Sequence, residues 1–172
     1  MGVLDQIRLI VFDVDGVLTD GVLQLDDQGV EAKRFHVRDG LAIRAALASG
    51  LKVAVLSARR SPAVSRRMEE LGVELLVEGS TDKSSGLNSI IDRAGISLGR
   101  TAYLGDDLLD LPAMVRCGYP MAVSDAVEEV LAVAEFVTTV RGGLGAAREA
   151  VEHILKAQGK WKRVVDSLTA GT

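Results

Sequence analysis

Residues 7–21 read Ile7-Arg-Leu-Ile-Val-Phe-Asp13-Val-Asp15-Gly16-Val-Leu-Thr-Asp20-Gly21, an apolar run of strand length that breaks into acidic residues and glycines. A run that is apolar at almost every position suits a strand covered on both faces, as in a parallel sheet, better than a half-exposed strand with strict alternation. The carboxylates beyond it then lie at the carboxyl end of the strand, where open α/β sheets hold their ligands.

The same pattern recurs along the chain. Short runs rich in Val and Leu at Lys52 to Leu56, Glu74 to Val77, Thr101 to Leu104, Tyr119 to Ala122 and Phe136 to Thr139 alternate with segments of helical period. This alternation predicts an α/β fold with a doubly wound, mainly parallel sheet. Ser61 and Pro62 suit the start of a helix and Gly72 its end, while Asp82 to Ala94 and Ser124 to Ala134 also open on capping residues. Leu144, Ala147, Val151, Ile154 and Leu155 mark one buried face of a last helix. Val22 to Leu25, the turn-like Asp26-Asp27-Gln28-Gly29, and Val30 to Val37 read as a β-hairpin after the first strand, a flap spanning about residues 22–37. Residues 1–158 are expected to form the core. Residues 159–172 show no cap or long period and read as an extended or partly helical tail.

A chain of 172 residues with 48% apolar and 26% charged residues is that of a folded domain with a sizeable core. The net charge of −4 gives no general attraction to nucleic acid or anionic membrane, so any phosphate specificity must be local. No apolar run reaches membrane-spanning length and no signal-peptide pattern is present, so a cytoplasmic protein is expected. The single Cys117 reads as a small core residue.

Four strand ends carry the chemistry. They are Asp13-Val-Asp15-Gly16, Ser57-Ala58-Arg59, the approach to Lys83, and Gly105-Asp106-Asp107-Leu-Leu-Asp110. Carboxylates gathered at one sheet edge repel one another unless a cation neutralises them, and hard oxygen donors select Mg²⁺. With Lys83 and a metal screening the charge of a phosphate, Asp13 can attack phosphorus as a nucleophile. Asp15 is placed to protonate the leaving oxygen and then to deprotonate water. Ser57 and nearby backbone amides would hold phosphate oxygens, with Gly16, Ala58, Arg59 and Arg141 completing the expected phosphate- and substrate-binding set.

These motifs resemble the haloacid dehalogenase superfamily of phosphatases in identity and order. The resemblance implies Asp13 as nucleophile, Asp15 as acid/base, Ser57 as phosphate donor and Lys83 as stabilising cation. It places Mg²⁺ on the Asp13 carboxylate, the Asp15 backbone carbonyl and Asp106, with Asp107 and Asp110 in support. Only 42 residues separate Asp15 from Ser57 and 26 separate Ser57 from Lys83, too few for a cap domain beside the fold's own helices and hairpin. Asp13 to Gly21, Phe35-His-Val-Arg-Asp-Gly40, Arg141-Gly-Gly-Leu-Gly-Ala-Ala-Arg-Glu149 and Ala157-Gln-Gly-Lys-Trp161 look like the uncapped subfamily of 3-deoxy-D-manno-octulosonate 8-phosphate phosphatases. That likeness implies a small anionic sugar phosphate as substrate, lipopolysaccharide precursor synthesis as its setting, and a homotetramer whose neighbouring subunits close the open site.

Arg59 fits this substrate, because a guanidinium grips a sugar-acid carboxylate through two hydrogen bonds. Ser57-Ala58 departs from the Thr-Gly usual in the subfamily, and Glu78 precedes Lys83 where a more neutral approach is usual. A phosphatase of nine-carbon nonulosonate 9-phosphates is the enzymatic alternative. A phospho-receiver signalling domain shares clustered Asp and Lys but lacks an acid/base two residues beyond its acceptor. His36 reads equally as a substrate contact or a solvated flap residue, Asp39 as an N-cap ahead of a site residue, His153 as a surface residue, Gly142-Gly143 as a phosphate or carboxylate cradle or a flexible hinge, and Trp161 as an interface anchor ahead of an ordinary exposed aromatic.

Overall fold

The structure is a computed structural model that describes residues 2–169. Six strands, β1 (Leu9–Phe12), β4 (Lys52–Leu56), β5 (Leu75–Val77), β6 (Thr101–Gly105), β7 (Tyr119–Ala122) and β8 (Phe136–Val137), form one sheet in the order β5-β4-β1-β6-β7-β8. Every pairing in it is parallel. Two further strands, β2 (Gln24–Leu25) and β3 (Glu31–Ala32), pair antiparallel as the hairpin.

Parallel neighbours need crossovers, and the helices supply them. A short helix α1 (Val3–Gln6) precedes β1, and helices α2 (Val37–Ala48), α3 (Pro62–Leu71) and α7 (Ala146–Ala157) pack together, α2 against both others. Helices α4 (Lys83–Ala94), α5 (Leu111–Met114) and α6 (Glu128–Val133) form a second contiguous set. The sheet between them is buried on both faces: β1 is fully buried along its length, with Ile10, Val11, Phe12, Ala54, Val55 and Leu104 in the core. Aromatics contribute little, and Tyr103 is the largest side chain fully enclosed. The chain moves from β1 to β4 and β5, then returns through α4 to β6 on the other side of β1. That reversal opens a crevice at the carboxyl ends of β1, β4 and β6.

Several boundaries differ from the sequence expectation for local reasons. The hairpin strands are two residues each, because both faces of the ribbon are exposed and little packing extends the ladder. Residues 33–36 leave the ribbon, and α2 starts at Val37 with His36 as its N-cap, Nδ1 accepting from the Arg38 amide at 3.3 Å. Asp39 therefore lies inside the first turn and is not the cap of α2. It is buried and accepts the Arg148 amide at 2.7 Å, capping the start of α7, whose own N-cap, Gly145, has no side chain to do so.

Helix α6 begins at Glu128, four residues later than expected. Ser124 instead donates its amide to Thr138 Oγ1 at 3.2 Å, and Asp125 binds Arg141. His153 is half-buried rather than on the surface, stacked 4.0 Å from the Phe136 ring and hydrogen-bonded to the Tyr119 hydroxyl at 2.9 Å. The tail continues as α8 (Trp161–Thr169), after α7 ends at left-handed Gly159. Trp161, Val164, Val165 and Leu168 carry the i, i+3, i+4, i+7 spacing that announces such a helix. Trp161 packs against the core with the Arg148 guanidinium 4.7 Å above its ring.

Glu78, at the end of β5, faces away from the crevice. Oε1 accepts the Ser61 amide at 3.0 Å and Oε2 the Ser65 hydroxyl at 2.6 Å, so it caps α3 in place of the Ser61 side chain, which makes no cap bond. Replacing Glu78 by Ala should lower unfolding stability by about 1 kcal/mol, as expected for a lost helix cap. A urea unfolding midpoint equal to wild type would show that the cap contributes nothing.

Candidate active site

Asp13 is the residue immediately beyond β1, and its amide donates to Leu104 O at 3.1 Å, fixing it between β1 and β6. The chain then coils tightly on itself: the amides of Val17, Leu18 and Thr19 all converge on Val14 O at 3.0–3.3 Å. Val14, Val17 and Leu18 are buried beneath this loop. Gly16 has φ +93°, and a Cβ there would overlap the Asp106 carboxylate. Glycine thus permits both the turn and the close approach of the β1 and β6 loops.

Behind the loop stands the segment before α7. A Cβ on Gly142 would collide with Gly16 O, and Gly143 donates its amide to Val17 O at 2.9 Å. The Gly142 amide donates to Asp125 Oδ1 and Arg141 Nε to Asp125 Oδ2, both at 3.0 Å. These glycines brace the loop after β1 and their amides are engaged within the protein, so they are not free to form an anion cradle. Arg141 likewise pairs with Asp125 and is not among the residues lining the crevice.

The crevice encloses about 170 Å³ and is lined by Asp13, Asp15, Ala58, Arg59, Lys83, Asp106, Asp107, Leu109 and Asp110. Lys83 is the first residue of α4, whose N-cap Asp82 accepts the Ser85 amide at 3.2 Å. Its ammonium is buried and bonds the Asp13 carboxylate, Leu56 O at 2.7 Å and Asp110 Oδ1 at 3.1 Å. Burial works against that charge, but Asp13 and Asp110 outweigh it and hold the Lys83 pKa above its ordinary value. Ser57 sits beneath the surface of the crevice, its Oγ accepting the Arg59 amide at 3.1 Å, so its own hydroxyl proton is free to donate.

Asp110 is the hub of the β6 loop. It accepts from the Tyr103 hydroxyl at 2.7 Å and from the Asp106 amide at 3.0 Å, in addition to Lys83. Asp107 turns back on its own loop, accepting the Leu108 amide at 2.7 Å. Asp20 closes the base of the hairpin through the Val22 amide at 3.2 Å and the Arg34 guanidinium. Asp15 pairs with Lys33, and Arg59 with Glu31, both partners coming from the hairpin. Lys33, Glu31 and Tyr103 were invisible as site residues in the sequence. Lys33 and Glu31 carry no local signal at all, whereas a polar-tipped aromatic in a mostly apolar strand is the one signal that could have marked Tyr103.

Carboxylate oxygens of Asp13, Asp106 and Asp110 lie within 4.8 Å of one another. Both oxygens of Asp110 are already engaged, which leaves Asp13 and Asp106 to face a cation. Burial, then repulsion from Asp110, raises the Asp13 pKa to about 7 despite Lys83. Burial, then repulsion from Asp13, Asp110 and Asp107, raises that of Asp106 to about 8. Asp13, buried, and Asp106, half-buried, offer hard carboxylate oxygens in a crowded site and fit a hard divalent cation.

Fold and site together define a hydrolase of the haloacid dehalogenase type, with paired aspartates after β1, a hydroxyl after β4, a lysine opening α4 and an acidic loop after β6. The haloacid dehalogenase-like hydrolase family model matches residues 73–147. The 3-deoxy-D-manno-octulosonate 8-phosphate phosphatase of Haemophilus influenzae is 45% identical over 157 residues, 91% of this chain and 87% of its own. That of Escherichia coli K12 is 40% identical over 156 residues, covering 91% and 83%. The crystal structure of the Moraxella catarrhalis phosphatase of the same name, in complex with magnesium, phosphate and KDO, superposes with a TM-score of 0.93. It is 38% identical and covers 96% of this chain and 95% of that one. The chain belongs to the haloacid dehalogenase-like hydrolases, in the family of 3-deoxy-D-manno-octulosonate 8-phosphate phosphatases.

Raised carboxylate values mean that the folded protein without a cation keeps protons that the unfolded chain has released. Cation-free stability should therefore fall as pH rises from about 4 towards 8. Mg²⁺ at about 100 times its dissociation constant should restore about 2.7 kcal/mol. Thermal melts at pH 8 with and without Mg²⁺ check this; coincident curves would contradict it.

Proposed function

We propose that the protein is a Mg²⁺-dependent phosphomonoesterase that hydrolyses 3-deoxy-D-manno-octulosonate 8-phosphate to the sugar acid and phosphate, in lipopolysaccharide precursor synthesis. The observation that carries this reading is the convergence of Asp13, Lys83 and Asp106 in one crevice of a chain 45% identical to such a phosphatase. The carboxylates of Asp13 and Asp106 and the backbone carbonyl of Asp15 would hold Mg²⁺, which would supply positive charge against the phosphoryl oxygens and the carboxylates.

Asp13 attacks phosphorus with a carboxylate oxygen, the ester P–O bond breaks, and its electron pair leaves on the sugar oxygen. Asp15 donates a proton to that oxygen, releasing the sugar acid and leaving Asp13 as an acyl phosphate. The Asp15 carboxylate then removes a proton from water as it attacks the phosphoaspartate, which frees phosphate and restores Asp13. Lys83 screens the incoming phosphate from Asp13 and Asp110, while Ser57 and the amides around Ala58 and Gly16 donate to its oxygens. Arg59, at the rim, takes the sugar carboxylate in exchange for Glu31.

The expected measurements are Mg²⁺-dependent phosphate release and a higher kcat/KM for the eight-carbon than for a nine-carbon keto-acid phosphate. Asp13→Asn should abolish turnover, and near-normal activity would remove its assignment as nucleophile. A preference for the nine-carbon substrate would defeat the substrate reading alone.

The crevice is open, and the hairpin beside it exposes Val22, Leu25 and Val30, each more than half exposed. A cytoplasmic homotetramer in which neighbouring copies cover the crevice accounts for both features. Among the described residues, no helix is long and apolar enough to cross a membrane. Light scattering should report about four times the 18.2 kDa chain mass, and a monomer would refute the assembly.

A further inference from the structure

At the foot of the hairpin stands a part-buried charge that the proposed reaction does not use. Lys33 directly follows β3, where the chain leaves the largely exposed ribbon, and its side chain is only 3% exposed. Its ammonium bonds Asp15 Oδ1 and lies 2.9 Å from Glu31 Oε1, and Glu31 in turn pairs with Arg59 through its other oxygen. Burying an ammonium is costly unless carboxylates satisfy it, so this arrangement holds the hairpin in one place. It also defines Asp15: among the described residues, Lys33 is the hydrogen-bond partner of that carboxylate. A carboxylate on a glycine-rich loop without such a partner would be free to rotate about its side-chain bonds.

We propose that Lys33 is a positioning residue for the acid/base. It fixes one oxygen of Asp15 so that the other is aimed at the leaving sugar oxygen, and through Glu31 it links that orientation to Arg59 at the rim. This rests on the reading of Asp15 as acid/base. General-acid catalysis needs the carboxyl within hydrogen-bond reach of the departing oxygen, and a small misplacement forfeits much of its contribution. The proton moves from Asp15 to the oxygen whose bond to phosphorus is breaking. Lys33 touches neither substrate nor phosphorus.

The test compares kcat/KM for a sugar phosphate, whose alkoxide must be protonated as it leaves, with that for p-nitrophenyl phosphate, whose phenolate departs without a proton. Since kcat/KM reports steps up to phosphoryl transfer, the later hydrolysis of phosphoaspartate does not enter. Lys33→Met should lower the sugar phosphate value by about tenfold to a hundredfold, part of the roughly 10²–10⁴ that general acid–base catalysis supplies. It should leave the aryl value within about threefold, and Lys33→Arg should recover much of the loss. The ratio of the two values from one sample does not depend on the fraction folded. An unchanged ratio, with or without an overall loss, overturns the inference. Asp15→Asn is measured in parallel. If it too leaves the ratio unchanged, the acid/base reading itself has failed; if it collapses the ratio while Lys33→Met does not, the positioning role alone has failed.

Discussion

Asp13, Asp106 and Asp110 crowd their charges around the single buried ammonium of Lys83, and this imbalance governs the carboxyl end of the sheet. Burial, and after it the mutual repulsion of three carboxylates that one ammonium cannot neutralise, pushes Asp13 and Asp106 to about 7 and 8. The imbalance creates the demand for a divalent cation. It also explains the division of labour among the aspartates. Asp110, saturated by Tyr103, Lys83 and the Asp106 amide, shapes the loop, whereas Asp13 and Asp106 retain the capacity to bind and react.

Holding like charges this close requires a frame that cannot relax, and glycines at backbone contacts help to provide it. Gly16 lets the β1 loop touch Asp106, and Gly142 lets the segment before α7 press on the back of Gly16. Asp39 fastens that segment further by capping α7 from α2. The loop that carries Asp13 is thereby clamped from both sides, beneath it by the fully buried strand β1 and behind it by the start of α7. Preorganisation of this kind lets electrostatic stabilisation act without reorganisation during the reaction.

The hairpin is the contrasting element, a short ribbon held by few backbone bonds and tied to the site through Lys33, Glu31 and Arg34. An uncapped fold has no second domain to orient groups over its crevice, so charged side chains from this ribbon reach in. At the rim of the crevice Arg59 and Glu31 form a further ion pair between the β4 loop and the ribbon.

Much of this was legible in the chain itself. The apolar runs marked all six strands of the sheet to within about two residues, because a strand covered on both faces tends to be apolar throughout. Asp13, Ser57, Lys83 and Asp106 could be placed because each follows such a strand or opens the next helix, where local sequence and site position coincide. Trp161 to Leu168 also carried a helical spacing that the expectation of an extended or partly helical tail used only in part. Other features depended on partners distant in sequence. Asp39 caps a helix more than a hundred residues away, Glu78 caps α3, Gly142 exists to meet Gly16, and Lys33 finds Asp15. No periodicity encodes these pairings. Local sequence determined which residues could carry the chemistry, while the tertiary structure alone decided their partners, because burial and charge neutralisation are settled only when distant segments are packed together.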